Sequence, residues 1–407
     1  MQQSTDAQPV TVSWLRGSLG RAGAGLVFAV LTAIVGVVLH KLDLPLVDTL
    51  DKHLGDLRIA YGSPVAQAQR SDIAIVLITE DTLLDYESRS PIDRALVAEL
   101  VRAIDSAHPK AIGLDLILDR RTRHDAQLIR ALREAKTPIV LGAIDSRIQG
   151  IHPSSLAIQT EIHQATGQPA GHVMLARKDG MLAANDRVVR YIAPPEILGN
   201  AAPSTRRAFV DVLAEVAGVT HVPPTRVISW ERQPDWRTPL FPTISLPRHS
   251  PEAVKPALEG LFQPSWREFL KDRIVLVGAA MIDQDKHLTP LSALDGFPTS
   301  GIYIHAQALA QRIDGDRDIQ SLPDWITALA AGVVTLACFV TARWVGFQPQ
   351  SFLYGLAGLL LIGTASAIAF RFFRIDFPSI ALAAAWVLGG FGGFVSDWVF
   401  RRIGIAA

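Results

Sequence analysis

The sequence IAIVLI at residues 73–78 is an uninterrupted apolar run with the length of an average β-strand. Runs of similar character occur at 111–118, 138–144 and 273–279. Strands that are covered on both faces of a parallel sheet have this continuous apolar character, whereas strands with one exposed face alternate between apolar and polar residues. The four runs therefore predict four buried strands of one mainly parallel sheet.

Segments with helical periodicity separate these runs. Apolar residues recur at helical spacing through 93–105 and 125–136, and Pro91 precedes the first segment as a start signal. A further helix is expected at 304–313, after the last run. Strands that alternate with helices predict βαβ units and hence an α/β domain with flanking helices.

Two regions interrupt this alternation. The sequences HVML at 172–175 and RVVRYI at 187–192 flank a turn-rich centre, which predicts a β-hairpin excursion. Proline is frequent from 193 to 264, so we expect loops there, interrupted by a helix around 207–216.

Four stretches approach the roughly 20 apolar residues that cross a hydrocarbon core about 30 Å thick. They lie at 22–39, 325–342, 351–370 and 377–400. His40 and Lys41 follow the first stretch where a cleaved signal peptide would carry small residues, so we expect an uncleaved signal anchor.

The spans divide the chain into five parts. These are a cytoplasmic tail at 1–21, transmembrane helix 1 at 22–40, an extracytoplasmic domain at 41–323, three transmembrane helices at 324–400, and a cytoplasmic tail at 401–407. This arrangement places more short-loop arginines on the cytoplasmic side, as the positive-inside rule expects. The cytoplasmic set is Arg16, Arg21, Arg343, Arg401 and Arg402, against Lys41, Arg371 and Arg374 outside.

Small residues recur four apart within the spans, and Gly389 and Gly393 are the clearest pair. Such spacing allows helices to approach closely. Packing among the helices of one chain is the simpler interpretation, and a homo-oligomer is the alternative. No Asp, Glu, Lys or His lies deep in a span, which argues against a transporter or a proton channel.

Composition argues against nucleic-acid binding and against disulfide or thiolate sites. Lys+Arg and Asp+Glu number 39 each, so the chain lacks the basic surface that nucleic acid requires and nucleic acid is not an expected partner. Charged residues make up 19% and mean hydropathy is positive, which agrees with membrane lipid as a partner. Cys338 is the sole cysteine, so intramolecular disulfides and sites built from several thiolates are excluded.

Several motifs of the soluble region resemble those of a known family. The strand DIAIVLITED at 72–81 precedes the helix start PIDR at 91–94, and IGLDLIL at 112–118 follows. The most specific motifs are VLVGA at 275–279, DKHLTP at 285–290 and GIYIHA at 301–306. In order and spacing these motifs resemble the CHASE2 extracytoplasmic sensor domain of bacterial membrane receptors, from about residue 42 to the third or fourth span.

The resemblance implies a multi-pass protein of the bacterial inner (plasma) membrane with its large domain in the periplasm or outside. Members of the family usually carry a cytoplasmic kinase, nucleotide cyclase or phosphodiesterase after the last span, whereas this sequence ends at Ala407. We therefore expect a stand-alone sensor that signals through a separate partner protein. The resemblance identifies neither its stimulus nor a small-molecule ligand.

Ligands of open α/β sheets collect beyond the carboxyl ends of the strands. There the sequence places Asp81, Asp115 and Asp119, and later Asp285 and His287. Carboxylates with one imidazole could hold a divalent cation or a cationic ligand. These five residues are the candidate ligand or ion site.

A plainer interpretation needs no ligand. Asp115 would cap a helix or turn, Asp119 would pair with the arginine at 120 or 121, and the other carboxylates would face water. His287 and His305 could bind metal or titrate between pH 5 and 8, but a hydrogen bond that fixes a loop is the simpler role for each.

The sequence carries none of the common enzyme signatures: no G-x-S-x-G elbow, Walker A loop, H-E-x-x-H motif or kinase loop. We therefore expect neither catalysis nor a cofactor. The leading hypothesis is a membrane-anchored sensor. The alternatives are a structural or assembly subunit of an envelope complex, whose soluble domain is a docking surface, and an extracytoplasmic hydrolase that uses the acidic residues.

Overall fold

The computed structural model describes residues 45–145, 151–176, 187–194, 206–220, 226–235, 237–315, 319–346, 348–377 and 379–402, with six positions ahead of residue 45. The chain divides into two compact units. One consists of residues 56–319, and the other combines 1–55 with 320–407. The predicted domain limits of 41–323 enclose the first unit.

Six strands of the 56–319 unit form one parallel sheet. In chain order the described strands of this unit are β1 Ile73–Thr79, β2 Ala111–Asp115, β3 Ile139–Ala143, β4 Ala170–His172, β5 Leu175–Ala176, β6 Tyr191–Ile192, β7 Thr243–Ser245, β8 Ile274–Ala280, β9 Lys286–His287 and β10 Thr299–Ser300. The order across the sheet is β4-β3-β2-β8-β1-β7, and all neighbours are parallel. The four predicted strands are its four central strands, which confirms the predicted parallel sheet.

Successive residues of β1 belong to different cores. Ala74 and Val76 pack in one apolar cluster, and Ile73 and Ile75 pack in the other. This alternation is the two-residue period of a pleated strand. Because both faces are buried, every position is apolar, and the run at 73–78 is unbroken.

Helices cover both faces of the sheet and give a three-layer α/β domain. In chain order they are α1 Pro45–Gly62, α2 Arg94–Asp105, α3 Asp125–Glu134, α4 Pro153–Thr166, α5 Phe209–Val216, α6 Val254–Leu261, α7 Pro264–Leu270, α8 Ser292–Asp295 and α9 Gly301–Asp314. Apolar residues of α2, α3 and α6 share one cluster with the sheet, and those of α5 and α9 share the other. The predicted fold class is confirmed.

The helix predicted at 93–105 begins where its sequence indicates. Asp93 is the N-cap of α2, and its Oδ1 accepts hydrogen bonds from the backbone amides of Ala95 (2.7 Å) and Leu96 (3.3 Å). An aspartate at this position satisfies amides that have no partner within the helix. This cap fixes the position of the next residue, Arg94.

The two edge strands of the sheet do not follow from the sequence. β7 lies in the proline-containing region for which loops are predicted, and β4 ends at His172, where the predicted hairpin begins. Both predictions are wrong at these positions, because a three-residue edge strand with one partner needs no long apolar run. The rest of the hairpin is present as β5 and β6, which pair antiparallel, and its centre at 177–186 lies outside the described residues.

Prolines mark helix starts in the region where they predict loops. Pro264 occupies the first turn of α7, and Pro256 is the third residue of α6. A proline in the first turn removes an amide that would have no partner within the helix, so it opens a helix instead of breaking it. The loop prediction for 193–264 is therefore wrong for α6, and α7 begins at the last residue of that range.

Three apolar helices follow the domain: α10 Asp324–Val345, α11 Pro349–Phe373 and α12 Ser379–Arg402. The segments Trp325–Val345, Pro349–Phe373 and Ser379–Val399 are each long and apolar enough to cross a membrane. They coincide with the three predicted C-terminal spans. The predicted first span lies outside the described residues except for six helical positions between 26 and 38.

Glycines bring α10 and α12 together. A Cβ atom on Gly389 would collide with the backbone carbonyl oxygen of Thr335, and one on Gly393 would lie 2.7 Å from the carbonyl oxygen of Phe339. Backbones can approach so closely only where a side chain is missing. The structure therefore places both predicted packing glycines against α10 of the same chain.

Candidate functional site

A cavity of about 410 Å³ lies at the carboxyl ends of β2, β3, β4 and β8. The start of α2 and one residue of α9 complete its wall. Of the described residues that line it, seven are ionisable: Arg89, Arg94, Asp115, Asp119, Asp285, His287 and His305. Since the carboxyl ends of parallel strands meet at one edge of the sheet, residues that are far apart in the chain converge here.

Four of the five predicted site residues lie in this cavity, and Asp81 does not. Asp81 follows β1 and begins the short 3-10 helix Asp81–Leu83, where its side chain is exposed. The neighbouring Glu80 forms an ion pair with Arg89. Asp81 therefore serves as a solvent-exposed comparison for the carboxylates of the cavity.

Asp115 is the last residue of β2 and lies in register with Gly278 of β8. Burial, and secondarily the Asp285 carboxylate, raise the pKa of Asp115 well above its usual value of 3.8. Within the part of the chain that the structure describes, no hydrogen bond holds this carboxyl group. Asp115 thus retains its proton to a higher pH than an exposed aspartate does.

Asp285 links the cavity to α9. Its Oδ2 accepts a hydrogen bond from the Gly301 amide at 3.0 Å, and its Oδ1 lies 2.8 Å from Nε2 of His287. His287 belongs to β9 and pairs with Thr299 of β10, so a short ribbon holds the imidazole. Here Asp285 supports the first turn of α9 while part of the carboxylate still faces the cavity.

Arg94 opens α2 and is only 1% exposed, although arginine is rarely buried. Its Nη2 donates a hydrogen bond to the Ile117 carbonyl oxygen at 3.3 Å, and its Nε lies 3.8 Å from Oδ1 of Asp125. Nε is buried and has no hydrogen-bond partner among the described residues. Burial lowers the pKa of Arg94, and the carboxylates of Asp125, Asp119 and Asp93 oppose that shift.

Asp119 lies in the cavity wall, where its charge acts on Arg94. The plainer interpretation paired it with Arg120 or Arg121. Arg121 forms an ion pair with Glu161, and within the described residues Asp119 forms no ion pair with Arg120. Asp119 is therefore positioned to face a ligand as well as the Arg94 guanidinium.

His305 projects from α9 into the wall of the cavity and is 3% exposed. Its Nδ1 has no hydrogen-bond partner among the described residues, and its ring packs edge-to-face on Phe209 at 5.7 Å between centroids. Burial lowers the pKa of His305 from 6.5 to about 4. The ring is therefore neutral at pH 7.

The sequence motifs contained Arg94 and His305, but the candidate site did not include them. Arg94 ends the PIDR sequence at 91–94, and His305 belongs to GIYIHA at 301–306. Both lie on helices, and only the packing of those helices against the strand ends brings them to the site. Their presence in these two motifs was the only feature of the sequence that could have indicated a place in the site.

The cavity combines groups of both charge signs with two buried nitrogen atoms, Nε of Arg94 and Nδ1 of His305, that have no hydrogen-bond partner in the described part of the chain. Among the described residues, no three side chains of His, Cys, Asp or Glu are grouped as a metal ion requires. Its volume falls in the range of about 300–1,000 Å³ that small-molecule sites occupy. The arrangement can bind a polar organic molecule through charge-assisted hydrogen bonds.

A second cavity, of about 910 Å³, lies among α10, α11 and α12. Apolar side chains such as Phe352, Trp386 and Phe391 form most of its wall, and the described residues that line it include no charged side chain. It offers apolar contact without the charged groups that would orient a polar ligand.

Comparison with known proteins identifies one family. A family model described as the CHASE2 domain matches residues 24–341. The matched region includes most of the predicted first span, the complete α/β unit and most of α10. No curated protein and no solved structure matches the chain.

Proposed function

The chain belongs to the CHASE2 family of sensory domains, and on this basis we propose that it is a membrane-anchored sensor whose α/β domain binds a small molecule in the cavity at the carboxyl ends of the strands. The observation that carries the proposal is the convergence of buried Arg94, buried His305 and partly buried Asp115 around one cavity. Desolvating ionisable groups costs free energy, so their convergence at a strand edge is typical of a functional site.

The proposed signal leaves the cavity through α9. His305 lies on this helix, and the Asp285 carboxylate binds the amide of its first residue, Gly301. α9 ends at Asp314, and α10 begins at Asp324 in the chain. A ligand that contacts Asp285 or His305 would stabilise one position of α9, and the equilibrium between two arrangements of the following helices would shift accordingly.

The proposed orientation places the domain outside the cytoplasm, with both termini inside, in the bacterial inner membrane. The excess of arginines flanking the spans on the proposed inner side supports it. A reporter enzyme fused after Ala407 should be active only in the cytoplasm. Activity on the outer side, or release of the chain from membranes by carbonate, would contradict this topology.

We further propose that a separate protein receives the signal in the membrane. α11 supports this because only 11% of its most apolar stretch is buried within the chain, against 50% for that of α12. Most of the surface of α11 is therefore left to lipid or to another helix. Photo-crosslinking residues at Leu353, Leu360 and Ile368, all exposed, should capture one partner in stoichiometric amount. Crosslinks to lipid alone would contradict the partner proposal.

The binding proposal is tested with the full chain in nanodiscs. A low-molecular-weight extract of the producing cells should raise the melting temperature of the wild-type domain, because a ligand that binds only the folded state stabilises it. Asp115→Asn should abolish the shift, and Asp81→Asn should retain it. The bound compound should be recovered unchanged, as expected of a receptor without turnover.

An unchanged melting temperature with every extract fraction would contradict the sensor proposal. A stoichiometric protein partner found under the same conditions would then favour the docking function. An equal shift in Asp115→Asn would place the binding site elsewhere in the chain.

A further inference from the structure

We propose that the ligand of this cavity is a small zwitterion that carries an ammonium group and a carboxylate, as an amino acid does. The inference deepens the proposed sensor function and rests on it, because it assigns a ligand class to the same cavity. It is carried by the positions of the charged groups and by two buried nitrogen atoms that have no hydrogen-bond partner among the residues that the structure describes.

One wall of the cavity suits an ammonium group. Asp115 and Asp285 both line it, and the negative charge of Asp285 disfavours the ionised form of Asp115. A cation bound between them would remove that repulsion, since an opposite charge stabilises both ionised carboxylates. The Asp115 carboxyl group, without a hydrogen bond among the described residues, would gain an ammonium donor.

His305 adds an acceptor to the same wall. Its neutral ring interacts with the backbone of Val173 through one nitrogen and leaves Nδ1 buried without a partner in the described chain. A neutral imidazole that donates from one nitrogen accepts at the other. An ammonium group has three donors, so Asp115, Asp285 and His305 together could engage it fully.

The carboxylate end of the ligand is assigned to Arg94. This guanidinium is 1% exposed, its Nε lacks a hydrogen-bond partner in the described chain, and its nearest carboxylate contact, Asp125, is 3.8 Å away. The other arginine of the cavity, Arg89, is half exposed and already forms an ion pair with Glu80. Arginine binds carboxylates through two parallel hydrogen bonds. Of the two arginines, Arg94 is therefore the one assigned to the carboxylate of the ligand.

The two ends of the cavity come from opposite layers of the domain. Arg94 opens α2, whose apolar residues pack on one face of the sheet, and His305 belongs to α9, which packs on the other. Asp115 ends a central strand between them. The site is therefore dipolar across the sheet, and a ligand with charges of opposite sign at its two ends matches both walls.

Calorimetric titration of the full chain in nanodiscs tests this ligand class. The probes are the ω-amino acids from glycine to 6-aminohexanoate, together with methylammonium and acetate as the two half-ligands. At least one amino acid should bind saturably and at least tenfold more tightly than either half-ligand. The best chain length then measures the separation of the two walls.

Two variants assign the ends, each with the ligand change that matches it. In Arg94→Gln, removal of the ligand's carboxylate should no longer weaken binding, so the best amino acid and the amine of equal length should bind alike. In Asp115→Asn, removal of the ligand's amino group should likewise have no effect. Asp81→Asn should bind as the wild type does. Circular dichroism verifies that each variant is folded.

Three results would overturn the inference. They are no binding by any amino acid of the series at millimolar concentration, equal binding of methylammonium and the best amino acid by the wild type, or equal binding of acetate and that amino acid. All three results are measured on the wild type, so they test the inference even if Arg94→Gln fails to fold. A cell extract that shifts the melting temperature while no amino acid binds would remove the zwitterion assignment and leave the sensor proposal standing.

Discussion

Asp285 and Gly301 are joined by two hydrogen bonds from one amide: the Gly301 N–H donates to the backbone oxygen of Asp285 at 3.1 Å and to its carboxylate Oδ2 at 3.0 Å. Asp285 itself has a left-handed backbone with φ of 53°, a conformation that aspartate tolerates better than most residues. This arrangement anchors the first turn of α9 to the loop that follows β8. The cavity is thereby connected to α9, the helix that precedes α10 in the chain.

Replacing Gly301 tests this connection. A Cβ atom there would collide with the Asp285 carboxylate, so Gly301→Ala must displace the cap. Loss of such a cap costs about 0.5–2 kcal/mol, and we expect a corresponding fall in the melting temperature of the domain. Gly260→Ala is the control, since Gly260 of α6 has open space around its Cβ position and alanine favours helices. Equal stability of Gly301→Ala and the wild type would contradict the cap.

A buried ion pair should determine much of the domain's stability. Arg190 binds Asp56 through Nε–Oδ1 (2.8 Å) and Nη2–Oδ2 (2.6 Å), and both side chains are 8% exposed. Removing one partner leaves an uncompensated charge, so Asp56→Ala should lower the free energy of unfolding by about 3–5 kcal/mol. Thermal and urea unfolding of the full chain measure the change.

The exposed pair of Arg248 and Asp85 is the matched control for that measurement. It has the same two-point geometry, with distances of 2.8 and 2.6 Å, but side chains that are 59% and 35% exposed. Water screens such a pair, so Asp85→Ala should leave the melting temperature unchanged. Equal losses in the two alanine variants would show that burial is not the reason for the stability of the Arg190 pair.

Asp115 should make stability fall as pH rises. Its pKa in the folded chain lies well above 3.8 because of burial and Asp285. Above pH 3.8 the unfolded chain releases this proton while the folded chain retains it, so the free energy of unfolding decreases until the raised pKa is reached. Asp115→Asn should therefore match the wild type at pH 3.8 and be more stable at pH 7. Lower stability of Asp115→Asn at pH 7 would contradict this account.

His305 should make the free energy of unfolding fall as the pH is lowered, which is the opposite pH dependence. Its pKa is lowered from 6.5 to about 4, so below pH 6.5 the unfolded chain binds a proton that the folded chain resists. Stability from this residue is lost as pH falls from 6.5 to about 4. His305→Gln should reduce the acid loss in that range, measured by thermal unfolding at a series of pH values. An unaltered pH profile would show that His305 is accessible to protons in the folded domain.

The glycines of α12 should be irreplaceable in the membrane unit. Gly389→Leu inserts a side chain where the Thr335 backbone lies, so we expect α10 and α12 to separate and the chain to lose thermal stability in detergent. Gly363→Leu on α11 is the control, because nothing lies within 4 Å of the Cβ position there. Comparable losses in both variants would mean that added bulk, and not the contact with α10, is responsible.

The central strands were predictable because burial on both faces requires a run of consecutive apolar residues, as at 73–78. The edge strands β4 and β7 were not, because three residues with one neighbour leave no periodic pattern. The end of β2 was also missed: Leu116 and Leu118 are buried but lie beyond the strand, so their apolar character reports burial and not pairing. Apolar runs in a sequence thus locate the core better than they locate strand ends.

The candidate site was predicted in part for a similar reason. Asp115 follows directly from its strand, and the carboxyl-edge rule placed Asp119, Asp285 and His287 near it. The same rule placed Asp81 there wrongly, because β8 and not β1 is the neighbour of β2. Strand order depends on tertiary packing. The positions of Arg94 and His305 in the site depend on it too, because their helices lie on opposite faces of the sheet.

The central claim is that occupancy of the cavity changes the packing of the membrane helices. The Cβ position of Gly390 lies 3.3 Å from Sγ of Cys338, so Gly390→Cys creates a pair across α10 and α12 whose rate of disulfide formation reports that packing. Measured in membranes, this rate should change when the active extract is added, remain responsive with Asp81→Asn, and become unresponsive with Asp115→Asn. Identical rates with and without extract in the chain with an intact cavity would contradict the claim.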